Sequence, residues 1–328
     1  MRKLVSAAIL ALALGGASAY AQDEAASAAA AASAAPLPVE LKRSGGRASA
    51  LAGRPRIAIA GYNIAAFTHA TARASSGGGF SGFGARVRMD MALAGVDMAL
   101  VQRVADAAHA DLVAQLQAAG YDVATAQEVL AAEGGAEALD PVESYEGEDA
   151  LGHDMVVVGP TGVGATKFHG LGQRTFNGNR PATASNALDA VMLYPNLALN
   201  FAAAEGSGNR MFGNRANVEG GPAFSVAQNS VVQVAFSREG RFTDGWTTLM
   251  MEEPVFAEEE FATMEQMDSS NNNAAVVVSA ILGAGMQRSQ RNTYQVIADP
   301  AAYEALALRA ARGFNAAIVA QVRAARGG

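Results

Sequence analysis

The residues of this chain that could do chemistry are few and widely spaced. Four histidines, His69, His109, His153 and His169, are scattered over 328 residues. None stands in an HxxxH or HxH spacing, so a metal centre would need distant residues to converge. The chain has no cysteine. That removes thiolate ligands, a thiol nucleophile and disulfides together. No Gly-x-Ser-x-Gly elbow occurs, so a serine nucleophile has no local signature. On these grounds no catalytic residue, metal ligand or cofactor is assigned.

One stretch has the composition of a ligand-binding loop. After the apolar run 155–158, Gly159, Gly162 and Gly164 surround Pro160, Thr161 and Val163, and Lys167 and His169 follow. A glycine-rich loop after a strand can aim backbone amides at a phosphate where a helix starts. The P-loop ends in Gly-Lys-Ser/Thr. Here Ala165, Thr166 and Lys167 stand in another order, and residues 169–172 do not read as helix. Gly159, Gly162, Gly164, Lys167 and His169 are therefore the candidate ligand-binding residues of the alternative reading, an exported ligand-binding protein or hydrolase using loop 159–172. The acids Asp140, Glu143, Glu146, Glu148 and Asp149 do not follow the alternating spacing of a calcium loop and read as a solvated loop.

Composition narrows the classes. Half of the residues are hydrophobic, enough for one large core. A formal net charge of -7 argues against a broad nucleic-acid footprint. Residues 1–21 have the form of a cleaved signal peptide. Arg2 and Lys3 precede the apolar stretch 4–14, and Ala19 and Ala21 are small residues placed for cleavage before Gln22. The stretch is too short to span about 30 Å of hydrocarbon. Residues 22–55 read as an Ala/Ser/Pro-rich tether followed by a basic linker with Lys42, Arg43, Arg47 and Arg54. Contact with membrane is at most peripheral. A transmembrane β-barrel needs many alternating strands, and too few are visible.

The elements that must position any site begin at Arg56. Residues 57–67 are apolar on both faces, as in a covered strand. A Gly/Ser-rich loop is expected over 68–90. A helix follows from Asp97, its cap. Val101, Val104, Ala105, Ala108, Leu112 and Leu116 recur on one face, and Gly120 closes the helix. A second strand over 121–126 completes a βαβ unit with parallel strands. A short helix is expected over 126–138 and strands over 155–158 and 193–201. Residues 224–236 read as one strand, or as two around Gln228 and Asn229. Residues 231–250 form an antiparallel hairpin. Residues 252–267 read as a helix after Pro254, 274–282 as a strand or a buried helix, with its valines favouring the strand, and 292–298 as a strand. The last helix has Asp299 as cap and Pro300 in the first turn. The further long loops are 159–187 and 204–222. Together these make one α/β domain over 56–328, with a mixed sheet and a C-terminal helix; α+β is the alternative class.

The strand Arg-Ile-Ala-Ile-Ala-Gly-Tyr-Asn at 56–63, the Gly/Ser loop, and the helix end Leu-Gln-Ala-Ala-Gly-Tyr-Asp-Val at 116–123 resemble the periplasmic α/β domain of the CsgG-like curli-secretion family. That domain is similar in layout to the TolB N-terminal domain. The resemblance covers residues 56–130. It implies a periplasmic, ring-forming component associated with the outer membrane. Its partners would be envelope proteins or further copies of the chain, with no nucleic acid. This sequence lacks a lipidated Cys, and no pair of long alternating hairpins is legible in it. No functional residue is carried over from the family.

Overall fold

The computed structural model describes residues 34–75, 85–148, 154–166, 181–208, 216–239, 243–270 and 288–327. Strands β1 (Lys42–Gly46), β2 (Arg56–Ile59), β3 (Asn63–Phe67), β4 (His69–Ser75) and β5 (Ala85–Ala94) come first, with a 3-10 turn, Ala48–Ala52, after β1. Helix α1 (Met98–Ala118), β6 (Val123–Ala124), α2 (Ala126–Ala131), α3 (Gly135–Leu139), β7 (Tyr145–Glu148) and β8 (Asp154–Val158) follow. The second half carries α4 (Ala182–Leu188), β9 (Ala190–Gly208), β10 (Ala216–Val226), β11 (Val231–Phe236), β12 (Gly245–Met250) and β13 (Val255–Phe256). Then come β14 (Ala262–Ser270), β15 (Arg288–Ala298) and α5 (Pro300–Arg326).

The class is α/β with mixed pairing. The larger sheet has the main order β1-β12-β11-β9-β3-β8-β7. Strand β9 is its spine, parallel to β2 and β3 and antiparallel to β10 and β11. Residues 190–199 of that spine are all buried, which explains a sequence apolar on both faces. The expected parallel pair is present: Ile57 lies beside Val123 and Ala58 beside Ala124. Strands β3, β4 and β5 intervene before α1, so the unit is not a simple crossover. A smaller sheet has the order β14-β15-β5-β4.

Helices α1 and α5 cover the larger sheet. Asp97 Oδ1 accepts from the Leu100 amide at 2.8 Å and Asp299 Oδ1 from the Ala302 amide at 2.8 Å, so both expected caps form. The α1 stripe from Leu100 to Leu116 is buried against the core, as is the α5 stripe from Tyr303 to Val322. Gly120 takes φ +85° just beyond α1. No described helix is long and apolar enough to cross a membrane.

Several elements differ from the sequence expectation. Order begins well before Arg56. Leu37, Val39 and Leu41 are buried, and residues 35–41 lie along α5. The Leu37 amide donates to Arg309 O at 3.2 Å, Arg309 Nε to Ala35 O at 2.8 Å, and Gln321 Nε2 to Leu41 O at 2.8 Å. Gly313 makes room for this strap, because a Cβ there would stand 2.0 Å from Leu37 O. The basic stretch then adds β1 to the sheet beside β12. The expected loop 68–90 holds β4 and part of β5, and 204–222 holds the distal part of the β9–β10 hairpin. Residues 252–267 form β13 and the first part of β14 rather than a helix, because pairing with β10 and β15 overrides local preference. The expected helix over 126–138 is two short ones broken near Gly134, and the acidic loop contains β7. Residues 224–236 are two strands. The apolar run 274–282 and the segment 1–33 lie outside the described residues.

Candidate functional site

The loop after β8 is described as far as Thr166; Lys167 and His169 lie outside the described residues. Gly159 sits where a Cβ would stand 2.0 Å from Gly164 O, while Gly162 and Gly164 take φ +79° and +82°. These three glycines fold the loop back on itself. Its amides are spent inward. Val163 N and Gly164 N donate to Pro160 O at 3.0 and 2.9 Å, and Ala165 N donates to Val142 O at 3.0 Å. Thr166 N donates to Asn63 Oδ1 at 2.9 Å. Asp106 on α1 takes the position an anion would want: Oδ1 accepts from Thr161 N at 2.6 Å and Oδ2 from Thr161 Oγ1 at 3.0 Å. The chain's own carboxylate thus satisfies the donors that a phosphate would use.

The two histidines among the described residues have different partners. His69 Nδ1 lies 3.7 Å from Asp154 at half exposure. His109 on α1 meets Tyr62 edge-on, with ring centroids 6.3 Å apart. Burial pushes the His109 pKa down, and Asp106 opposes the shift. His153 lies outside the described residues. Behind His109, Tyr62 Oη donates to Asn315 Oδ1 at 2.8 Å, and Asn315 Nδ2 donates to Ala108 O at 2.9 Å and Asp111 Oδ2 at 2.8 Å. Burial foremost, with Asp111 adding, drives the Tyr62 phenol far above its usual range. This network ties α1 and α5 to the link between β2 and β3. Among the described residues no group of three or more His, Asp or Glu could hold a metal ion.

The smaller sheet is the unusual surface. Thr68 bridges the two sheets: its amide donates to Asp154 O and its carbonyl accepts from Leu93 N, both at 2.9 Å. Strand β3 therefore bends into β4. Directly paired residues share a face of a sheet, and faces alternate along each strand. One face carries Ala72, Met89, Met91 and Val296, which are buried in the same core cluster as Phe201 and Phe224. The opposite face is polar. One row across it is Thr293, Asp90 and Thr71, and the next sets Arg88 beside Arg73. Thr71 and Arg73 are exposed, whereas Asp90 is buried beneath them. Asp90 Oδ1 accepts from Arg88 Nε at 2.7 Å and from Thr71 Oγ1 at 2.8 Å.

The sequence reading missed these residues. The signal was present as period-two alternation in His-Ala-Thr-Ala-Arg-Ala-Ser at 69–75 and Arg-Val-Arg-Met-Asp-Met at 86–91. The Gly/Ser composition between those runs hid it.

No family model, curated protein or solved structure matches this chain. The fold and the surfaces above are therefore what bear on function.

Proposed function

We propose that this is an exported cell-envelope protein of non-enzymatic binding or assembly type. It serves as a periplasmic component of an outer-membrane-associated complex and joins further copies of itself or other envelope proteins. The observation that carries the reading is the open margin of the smaller sheet. Among the described residues, β14 and β4 are its edges, and an unpaired edge is a template for another strand. Met264 on β14 shares a face with buried Val296 yet is 37% exposed, so the apolar face runs past its own core. Met267, 61% exposed, falls at the irregularity between Gln266 and Asp268. On the polar face, β14 carries Glu265, while β4 carries Arg73. The opposite charges suit head-to-tail pairing of two copies, which builds rings or filaments. Export rests on the signal-peptide pattern of residues 1–21.

Cell fractionation followed by native mass spectrometry tests this reading. Association with the envelope and an oligomer dispersed by Met264→Lys or Met267→Lys are expected, since an edge lysine blocks strand addition. A small monomer with no envelope partner on cross-linking would overturn it.

A further inference from the structure

We infer that the open end of the larger sheet, around Trp246, binds an uncharged glycan by stacking a sugar ring on the indole. The site is complete within one copy and lies away from the margin of the smaller sheet, so it goes beyond assembly. Trp246 on β12 is the only tryptophan of the chain and is 51% exposed. Val232 and Val234 of β11 and Leu249 of β12 point into the core shared with α1 and α5. Side chains alternate between faces, so Gln233, Trp246 and Thr248 belong to the opposite face. Towards the spine that face is covered: Met192 and Tyr194 of β9 are buried with Val129, Leu139 and Ala184 of α2, α3 and α4. Gln233, beside Tyr194 in the register, is only partly buried, as is Thr248 beside it. The cover from the short helices therefore thins at β11 and leaves a shelf on which the indole is the one large exposed side chain.

The indole is held in place before any ligand arrives. The tip of its six-membered ring rests on Gly45 of β1, where a Cβ would stand 3.3 Å from two ring atoms. Strand β1 is fixed beside it by Thr247 Oγ1 donating to Gly45 O at 2.8 Å and by the Arg47 amide donating to Trp246 O at 2.9 Å. The chemistry around the ring selects the ligand. Thr248 lies about 6.6 Å along the strand from Trp246 on the same face, and Gln233 about 4.8 Å further across it. Among the described residues neither the Gln233 amide nor the Thr248 hydroxyl has a hydrogen-bond partner. Each can both donate and accept, as a sugar hydroxyl does. The negative face of the indole attracts the polarised C–H bonds on one side of a pyranose ring. In the register of β11, β12 and β1 the charged residue on this face is Lys42, beside Met250, and its ammonium is already paired with Glu252. An aromatic platform with a free amide and a free hydroxyl, and no charge left over, suits an uncharged ligand rather than an anionic one.

A single tryptophan makes the test direct, because the intrinsic fluorescence of the full chain reports on Trp246 alone. The chain is titrated with cellohexaose, with chitohexaose and, in a parallel arm, with phosphatidylglycerol vesicles. At least one of the two glycans should change the emission saturably, with an affinity that does not fall as salt rises. The vesicles should leave it unchanged. By calorimetry Trp246→Ala should weaken glycan binding by about tenfold or more. Gln233→Ala and Thr248→Ala keep the reporter and should each weaken it by about fivefold, the value of one hydrogen bond; they carry the test if Trp246→Ala disturbs the fold. Phe256→Ala, at an exposed aromatic on β13, should bind as wild type. The inference is overturned if neither glycan binds, or if Phe256→Ala weakens binding as much as Trp246→Ala. It is also overturned if Gln233→Ala and Thr248→Ala both bind as wild type, or if the vesicles shift the emission, which would assign the indole to a membrane surface. None of these outcomes depends on whether Met264→Lys changes the oligomer.

Discussion

Gly313→Ala opposes two effects of different size. In the interior of a 27-residue helix, replacing Gly by Ala should gain about 1 kcal/mol from helix propensity. The added Cβ, however, would stand 2.0 Å from Leu37 O. That atom is backbone and cannot swing aside, so the strap must retreat by well over an ångström. The retreat breaks the 3.2 Å bond from the Leu37 amide to Arg309 O, worth about 1 kcal/mol net. It also uncovers much of Leu37, which is 5% exposed; full burial of a leucine is worth about 1.5–3 kcal/mol. The loss exceeds the propensity gain, and urea denaturation should show a net destabilisation of about 1–3 kcal/mol. The same substitution in a chain beginning at Lys42 meets no strap. There it should stabilise by about 1 kcal/mol. The sign therefore reverses between the two backgrounds. An equal effect in both, of either sign, would refute the packing of residues 35–41 against α5.

Tyr303→Phe should raise stability by about 1 kcal/mol in the same assay, because the buried Tyr303 hydroxyl has no hydrogen-bond partner among the described residues. The ring contacts with Phe224 and Phe261 survive the change; a clear loss of stability would mean that the hydroxyl is bonded. Tyr62→Phe acts oppositely. It strands Asn315 Oδ1 in the α1–α5 seam and should cost about 1–3 kcal/mol; a neutral result would show that water replaces the phenol. For His109, burial lowers the folded pKa below the unfolded value of 6.5. The unfolded chain then binds the extra proton first, so stability is full above pH 6.5 and falls as pH drops from there through the lower folded pKa. Melting curves against pH should show that decline in the wild type and a reduced one in His109→Gln; identical profiles would remove His109 as its source.

Legibility followed the range of the interaction. The two long helices, with their caps at Asp97 and Asp299, were readable because a cap and a 3.6-residue stripe depend on neighbours a turn away. The parallel pairing of 57–58 with 123–124 was readable because a strand, a helix and a strand within seventy-odd residues leave few arrangements. The strap was not, since Leu37, Val39 and Leu41 beside Pro36 and Pro38 look like a tether until α5 lies beside them. Nor was β14, whose scattered apolar residues acquire a face only through pairing with β15. The candidate loop shows the same limit. Its glycines were visible, but not that Asp106, from another element, would take up the Thr161 donors.

By itself the sequence determined the α/β class, the two long helices and the absence of cysteine. Each of those depends on composition or on spacing along the chain. The tertiary structure alone decided that Arg73 lies beside Arg88 and that β14 is an edge among the described residues. The reason is physical: a register between strands about two hundred residues apart is fixed by which faces must be buried together, and the sequence of either strand alone does not contain it.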